Sequence, residues 1–309
     1  MYKYISKRLL MLIPILLGVV FIVFFIMSFT PGNPGRIALG MNAPQEAVDK
    51  YNQEVGYDRP FLVKYADYVI HAVTGDFGKS YRSNKPVFSE LLPRFPKTLL
   101  IVTLTICVIG LVGIPLGILS AIKQYSVADV SVTVFAMVLA AIPQFWFALL
   151  LILAFSLRLG LLPSFGSGSL AHYILPVLAM GLPGSAGVMR MTRSTMLESI
   201  REDYVRTARA KGVPENVVIW KHALKNALLP VITMMGMSFG LSLGGTVMIE
   251  QIFGIQGIGK LMILSIVAKD QPMVMACTVF LATLFCLIML IVDLLYAFID
   301  PRVKAQFVK

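Results

Sequence analysis

The sequence predicts an all-α integral membrane protein with six transmembrane helices and both termini on the cytoplasmic side. Three observations carry that prediction. Apolar residues fill 57% of the 309 positions and charged residues 14%, against about 25% charged in soluble domains; mean hydropathy is +0.80. The apolar residues gather in six long runs, each near the roughly 17–25 residues that a membrane-crossing helix needs. Lysine and arginine concentrate in alternate connections. Fifteen lie on segments that an inside N-terminus places in the cytoplasm, and three lie in the two short loops opposite. A cationic bias in short loops orients membrane spans.

The first run, Leu9–Phe29, has 21 residues and follows Lys3, Lys7 and Arg8. A secretory leader has a shorter apolar stretch and a small-residue cleavage site, so residues 1–30 are expected to be a retained first helix. Residues 31–97 are expected outside the membrane. The turns Pro31-Gly-Asn-Pro34, Gly56-Tyr-Asp-Arg-Pro60 and Gly75-Asp-Phe-Gly78 separate the amphipathic stretches Ala43–Val55 and Phe61–Val73. Aromatic residues at Tyr51, Phe61, Tyr65, Tyr68, Phe77 and Tyr81 favour ordered packing of short helices over a slack tether.

The remaining spans are Thr98–Ile122, Val132–Leu157, Tyr173–Met189, Leu228–Ile249 and Met273–Ile299. They form an expected core over residues 98–300, followed by a cytoplasmic tail, 301–309. Tyr173–Met189 is the shortest and contains Pro176, Pro183, Gly181, Gly184 and Gly187. Such breakers are tolerated where neighbouring helices satisfy the freed backbone groups, so this span is expected inside the bundle.

The inner loop 190–227 is long, cationic and helix-forming. Glu202, Asp203, Tyr204, Arg206, Thr207, Ala208, Arg209, Ala210, Lys211 and Gly212 form its candidate docking helix. The small residues Ala208, Ala210 and Gly212 would let its backbone press into a partner's groove. Gly212 and Pro214 would end that helix and begin another, since proline suits a first turn.

The other motifs weigh differently. The net charge of +11 is distributed among the spans rather than striped along one helix, so membrane orientation explains it and no nucleic-acid partner is expected. Gly254-Ile-Gln-Gly-Ile-Gly-Lys260 has the spacing of a phosphate-binding loop, but Leu261 stands where Ser or Thr should reach magnesium, and no strand precedes it. Gly254, Gln256, Gly257 and Gly259 are instead expected to form an outer turn ahead of a short helix, placed to meet an external partner or the closed gate. His71, His172 and His222 are scattered, and Cys107, Cys277 and Cys286 lie within apolar runs. No metal-binding or nucleophilic constellation emerges, and no cofactor is expected. Gly236, Gly240 and Gly244, with Ser238 and Ser242 between them, form a small-residue stripe on the fifth span. Such a stripe suits internal packing or contact with a second membrane subunit along a pathway. Asp293 is the acid that lies deep inside a span; it is open to a structural pairing with an inner arginine or to a cavity.

Several further segments extend the pattern: Gly75-Asp-Phe-Gly-Lys-Ser80, Ile142-Pro-Gln-Phe-Trp146, Arg190-Met-Thr-Arg-Ser194, Glu250-Gln-Ile-Phe253, Asp293-Leu-Leu-Tyr296 and Asp300-Pro-Arg302. With the inner loop, they make nearly the whole chain resemble the permeases of ABC importers, in the branch that carries dipeptides, oligopeptides, nickel chelates and glutathione. The general permease loop reads Glu-Ala-Ala before its glycine. Here Arg206-Thr207-Ala208 stand in those places, with His222 and Lys225 replacing the distal Ile and Pro.

The resemblance implies a type I importer fold in a prokaryotic inner membrane. It implies a second homologous permease, two cytoplasmic ATPases that bind residues 198–224, and an external solute-binding protein. ATP would then be hydrolysed by the partners and not by this chain. A membrane-embedded enzyme or assembly factor would need convergent polar residues in the spans, and an ion channel would need a filter repeat. The sequence offers neither.

Overall fold

A computed structural model describes residues 2–30 and 32–299. Among them there is no strand, only an isolated antiparallel bridge between Lys79 and Pro86. In chain order the helices are α1 (Tyr2–Ser28), α2 (Pro34–Leu39), α3 (Gln45–Glu54), α4 (Phe61–Val73), α5 (Val87–Leu91), α6 (Phe95–Ile122), α7 (Val127–Ala141) and α8 (Gln144–Leu151). They continue as α9 (Ala171–Arg201), α10 (Asp203–Ala210), α11 (Glu215–Val217), α12 (Leu224–Ile252), α13 (Ile258–Val267) and α14 (Gln271–Ile299). Two π-helical turns, Ile152–Arg158 and Val218–Ala223, extend α8 and join α11 to α12. Among the described residues five helices are long and apolar enough to cross a membrane, and a bent pair, α7 with α8, supplies a sixth crossing when counted as one span.

That pair corrects one expectation. Val132–Leu157 is not a single straight helix, because α7 and α8 with its π-turn meet at 101°. Pro143 lacks an N–H and forces the preceding residue out of the α region; Ile142 is accordingly extended, at φ −79° and ψ 125°. A second difference lies in α9, which runs unbroken through Pro176 and Pro183 and on to Arg201. At 1.5 Å per residue its 31 residues reach roughly 46 Å, more than the ~30 Å hydrocarbon core. It is thus longer than one crossing requires. Of its most apolar window 56% is buried, against 11% for α1, as expected for a span held inside a bundle.

The chain divides into two compact units. The first comprises Leu99–Gly254 with residues 288–299. Its central helix is α9, which packs along α12, α7 and α8. Glycines bring α6 against it. A Cβ on Gly117 would lie 2.6 Å from the Met189 carbonyl oxygen and 2.6 Å from Thr192 Cβ. One on Gly113 would lie 2.9 Å from the Ser185 carbonyl oxygen. Reciprocally, Gly181 and Gly184 of α9 receive Val108 and Ile109 of α6. Small residues four apart allow this backbone approach in lipid, where association depends on van der Waals contact rather than on a hydrophobic driving force. Ile109, Val188 and Val231 form the core where α6, α9 and α12 meet.

An ion pair between the buried Asp129 and the partly exposed Arg193 locks α7 to α9 in the same unit. Arg193 donates from Nε to Asp129 Oδ1 at 2.9 Å and from Nη2 to Oδ2 at 2.8 Å. Ser120 Oγ accepts from Arg193 Nε at 3.0 Å and donates to Asp129. The Tyr125 N–H donates to Asp129 Oδ2 at 3.0 Å, while Ser126 caps α7 by accepting from the Asp129 N–H. One carboxylate thus fixes the turn between α6 and α7, the start of α7, and α9.

The second unit comprises Tyr2–Thr98 with Ile255–Leu287. The region expected outside is ordered here, with α3 and α4 close to the two amphipathic stretches read from sequence. Asn33 caps α2, and the buried Asn52 side chain accepts from the Gly35 N–H at 2.9 Å. The positive φ of Gly78 turns the chain so that Ser80 Oγ and the Tyr81 N–H both donate to the buried carboxylate of Asp270. Val87 and Leu91 pack fully buried with Ile258, Leu261 and Met273. On α1, Phe24 meets Phe61, Tyr65 and Tyr68 edge-on or tilted.

Two stability measurements follow from the first unit. Gly117→Ala forces a methyl onto backbone atoms and is expected to cost about 1–3 kcal/mol, while Gly244→Ala, with open space around it, stays within about 0.5 kcal/mol. Thermal midpoints in detergent compare the two, and equal values would refute the close-approach account. Arg193→Gln strands the buried Asp129 and is expected to cost about 3 kcal/mol, whereas Asp129→Asn strands a partly exposed guanidinium and costs less. Their combination should cost clearly less than the sum, and simple additivity would show that the pair is not coupled.

Candidate functional site

Where α9 leaves the membrane the chain folds into a helical elbow. Glu202, extended at φ −67° and ψ 150°, ends α9 and begins α10. Within α10, Val205 and Ala208 are spaced i, i+3 and so share a face. Both are buried with Ile118 and Ala121 of α6, Met196 of α9, and Val218, Ile219, Ala223 and Ala227 of the returning chain. Glu202, Asp203, Tyr204, Arg206, Thr207, Ala210 and Lys211 are exposed on the other faces. The exposed Trp220 lies on the following π-turn, 58% accessible.

Gly212 closes α10 at φ +76°. The Val213 N–H bonds the Ala208 carbonyl at 3.3 Å and the Gly212 N–H bonds the Arg209 carbonyl at 2.9 Å. Together these bonds make a Schellman cap, which needs the left-handed conformation that glycine adopts without strain. Val213 packs on the same cluster as Ala208, the apolar contact that accompanies such caps. Pro214 then precedes α11. The break read from Gly212 and Pro214 is thus present, with its hydrogen bonds in place.

Arg209 braces the elbow from outside. Its Nε and Nη2 donate to the two oxygens of Glu215 at 3.1 and 2.7 Å, and Nη1 reaches the Ile200 carbonyl at 3.4 Å. The bond from Arg209 holds the Glu215 carboxyl below its ordinary value, and the same bond raises the guanidinium. The 2.7 Å ion pair is solvent-facing on both sides, so its stabilisation is modest and salt-sensitive.

The structure separates residues that the sequence had grouped. Ala208 is not open to a partner's groove, because it is committed to the elbow's own core. Arg209 is engaged with Glu215 and Ile200. The open cationic positions are Arg206 and Lys211, with Arg206 only loosely paired to Asp203 at 3.5 Å. Sequence reading missed Trp220, although an aromatic residue in a cationic, loop-placed segment was the available signal.

The small-residue stripe of α12 also divides. A Cβ on Gly236 would meet Val292 at 2.4 Å, whereas Gly244 faces open space. Ser242 is buried, and Gly240 and Ser238 are half-buried, with the Ser238 hydroxyl donating to the Met234 carbonyl at 2.9 Å. After α12, Gly254 turns at φ +66° and Gly257 begins α13. In that segment Gln256 is exposed and Gly254 half-buried, while Gly257 and Gly259 are buried. The two buried glycines therefore cannot offer contact surface to an external partner from this arrangement. The Asp293 side chain, Asp300 and the tail 301–309 lie outside the described residues. Among the described residues no group of three His, Cys, Asp or Glu side chains is arranged to hold a metal ion.

Comparison with known proteins gives the same picture throughout the chain. The profile of the family described as binding-protein-dependent transport system inner membrane component matches residues 113–305, and the N-terminal profile of such membrane components matches 1–102. The chain is 39% identical to the dipeptide transport system permease protein of Alkalihalophilus pseudofirmus, covering 98% of this chain and 100% of that one. It is also 39% identical to the glutathione transport system permease protein of Escherichia coli, covering 98% and 99%. Among solved structures, a chain of the inward-facing MetNI methionine ABC transporter matches with a TM-score of 0.59 at 18% identity, over 70% of this chain and 99% of that one. That match is one of fold. A membrane-embedded helical bundle with a capped elbow, matched by these profiles over nearly its whole length, belongs to the binding-protein-dependent transport system inner membrane component family, the inner-membrane permease subunits of ABC importers.

Proposed function

We propose that this permease carries di- or oligopeptides across the inner membrane, powered by cytoplasmic ATPases that dock on its elbow. The observation that carries the docking assignment is the division of α10 into two faces. One face is fused to α6, α9 and the returning chain through Val205 and Ala208; the other presents Tyr204, Arg206, Thr207, Ala210 and Lys211. An exposed Tyr and Trp flanked by cations are residue types that dominate binding energy at protein interfaces. A push on the outer face is conveyed to the spans because the inner face has no slack. Movement of the ATPases on binding ATP would then switch the pathway between its two openings.

The peptide assignment rests on the relatives, one named for dipeptide transport and the other for glutathione transport. Both cargoes are small molecules with amide backbones; a nickel chelate is the alternative within the same kind of complex. A second homologous permease completes the pathway, and the open surface at Gly244 suits close approach by its helix. An external solute-binding protein would meet the chain near Gln256 and the block 31–97. The termini and the elbow are assigned to the cytoplasm by the lysine and arginine distribution.

Replacing Arg206 and Lys211 together by Glu is expected to lower ATP-driven dipeptide uptake at least tenfold in reconstituted vesicles, with the protein still inserted. Normal uptake would overturn the docking assignment. Ala208→Glu should differ, by reducing the amount of folded protein, since it places a charge in a dry cluster. Topology is checked separately: Gln53→Cys and Gln256→Cys should react with an impermeant thiol reagent in whole cells, and Asn216→Cys should not. The reverse pattern would place the elbow outside.

A further inference from the structure

Beside the ion pair of Arg193 and Asp129 lies a cavity of about 510 Å³ that the transport reading does not use. Its long wall is the exposed face of the last turns of α9, carrying Arg190, Arg193 and Arg201. Its other wall is the turn between α6 and α7, with Gln124 and Tyr125, and the first turns of α7, with Thr133.

The cations here are unevenly satisfied. Arg193 is held bidentate by Asp129, which fixes its position. Among the described residues Arg190 makes no ion pair or side-chain hydrogen bond. Arg201 meets only the neutral Gln124 Oε1, at 3.4 Å. That contact draws its guanidinium back over the turn that Asp129 grips through the Tyr125 N–H. The one carboxylate in the lining, Glu198, receives a long 3.5 Å bond from Ser194. With the charge of Arg193 answered by Asp129, the guanidinium groups of Arg190 and Arg201 line the cavity against the single acid Glu198.

The surroundings are those of a membrane boundary. The cavity lies along the last three turns of α9, whose opposite face stays buried through Thr192, Met196 and Ser199. On α7, Val127, Val130 and Val134 are 83%, 58% and 48% exposed, giving an apolar flank beside Thr133. Tyr125, 85% exposed, is a residue type enriched at the membrane–water interface. A cationic pocket with an apolar track leading away from it matches an anion that carries acyl chains, and basic pockets between spans do receive lipid headgroups.

We propose that this cavity binds the phosphate of an anionic phospholipid, with Arg190 and Arg201 as its charged contacts and the exposed valines of α7 seating an acyl chain. Arg193 acts as a positioning residue, since its charge is committed to Asp129. This site is separate from the docking face of α10 and stands whether or not the ATPase assignment holds.

The test uses the full chain purified with its partner subunits. Retention of phosphatidylglycerol is measured by native mass spectrometry after incubation in mixed phosphatidylethanolamine and phosphatidylglycerol micelles. Arg190→Gln with Arg201→Gln should weaken retention by roughly 30-fold, the equivalent of ~2 kcal/mol for two basic side chains at a lipid surface. The thermal midpoint without anionic lipid should be unchanged, because both side chains are exposed. Lys50→Gln with Lys85→Gln removes the same charge elsewhere and should leave retention as it was.

Equal retention by the arginine variant, or equal loss in the lysine control, overturns the proposal. If inorganic phosphate or ATP displaces the lipid and binds with the same dependence on Arg190 and Arg201, the phosphate chemistry stands and the lipid source is overturned. If the variant instead loses its ATPase subunit while keeping phosphatidylglycerol, the cavity is a protein interface and the proposal falls.

Discussion

Gly113 and Gly117 let the backbone of α6 lie against the backbone of α9, and the rest of the first unit is arranged around that contact. Neither position leaves room for a methyl group, because the opposing atoms are carbonyl oxygens and a Thr Cβ rather than flexible side-chain ends. With α6 seated so closely, Ile118 and Ala121 near its end reach Met196 and the elbow. Ser120 reaches Arg193 and Asp129 on the same account. In lipid, apolar burial gives helices little reason to associate. Shape at these few positions therefore decides which helices touch, and through them where the elbow is held.

The elbow shows how a short helix can be both fixed and available. Eight residues are too few to be stable alone in water, so α10 depends on the apolar contacts of Val205 and Ala208 and on the cap at its C-terminal bend. The cap at Gly212 satisfies two carbonyls that would otherwise end the helix without partners. Arg209 closes the outer side on Glu215. What remains exposed is a compact cationic and aromatic surface on a support that cannot yield independently, which suits the transmission of force from a soluble partner to the spans.

Charge is handled differently at each depth. Asp129 is buried and answered by a bidentate guanidinium, a serine hydroxyl and a backbone N–H, which together offset the cost of taking a carboxylate from water. About a turn before Arg193 and two turns after it on α9, Arg190 and Arg201 face the cavity without an acid partner. Asp270 in the second unit repeats the buried solution with neutral donors, Ser80 and the Tyr81 N–H. The buried carboxylates Asp129 and Asp270 organise turns, whereas the guanidinium of Arg190 is left open to a ligand or partner.

Much of this was legible in the residues themselves. Apolar run length and cationic loop bias set the membrane class and the number of crossings, because both follow from the thickness of the bilayer and its electrostatics. Gly212 with Pro214 marked the elbow, because positive φ and a missing N–H are local properties of those residue types. The break at Pro143 was equally local, but the length of the run masked it. Tertiary structure alone decided which side of α10 faces inward, that Ala208 is core and not contact, and that Arg209 is a brace. It alone paired Asp129 with Arg193 across 64 positions of sequence, and it alone split the glycines of α12 into one packed on Val292 and one left open. The physical reason is common to all of these. A side chain's role depends on which atoms stand opposite it, and in a membrane bundle that is set by helix–helix contacts between residues far apart in the chain.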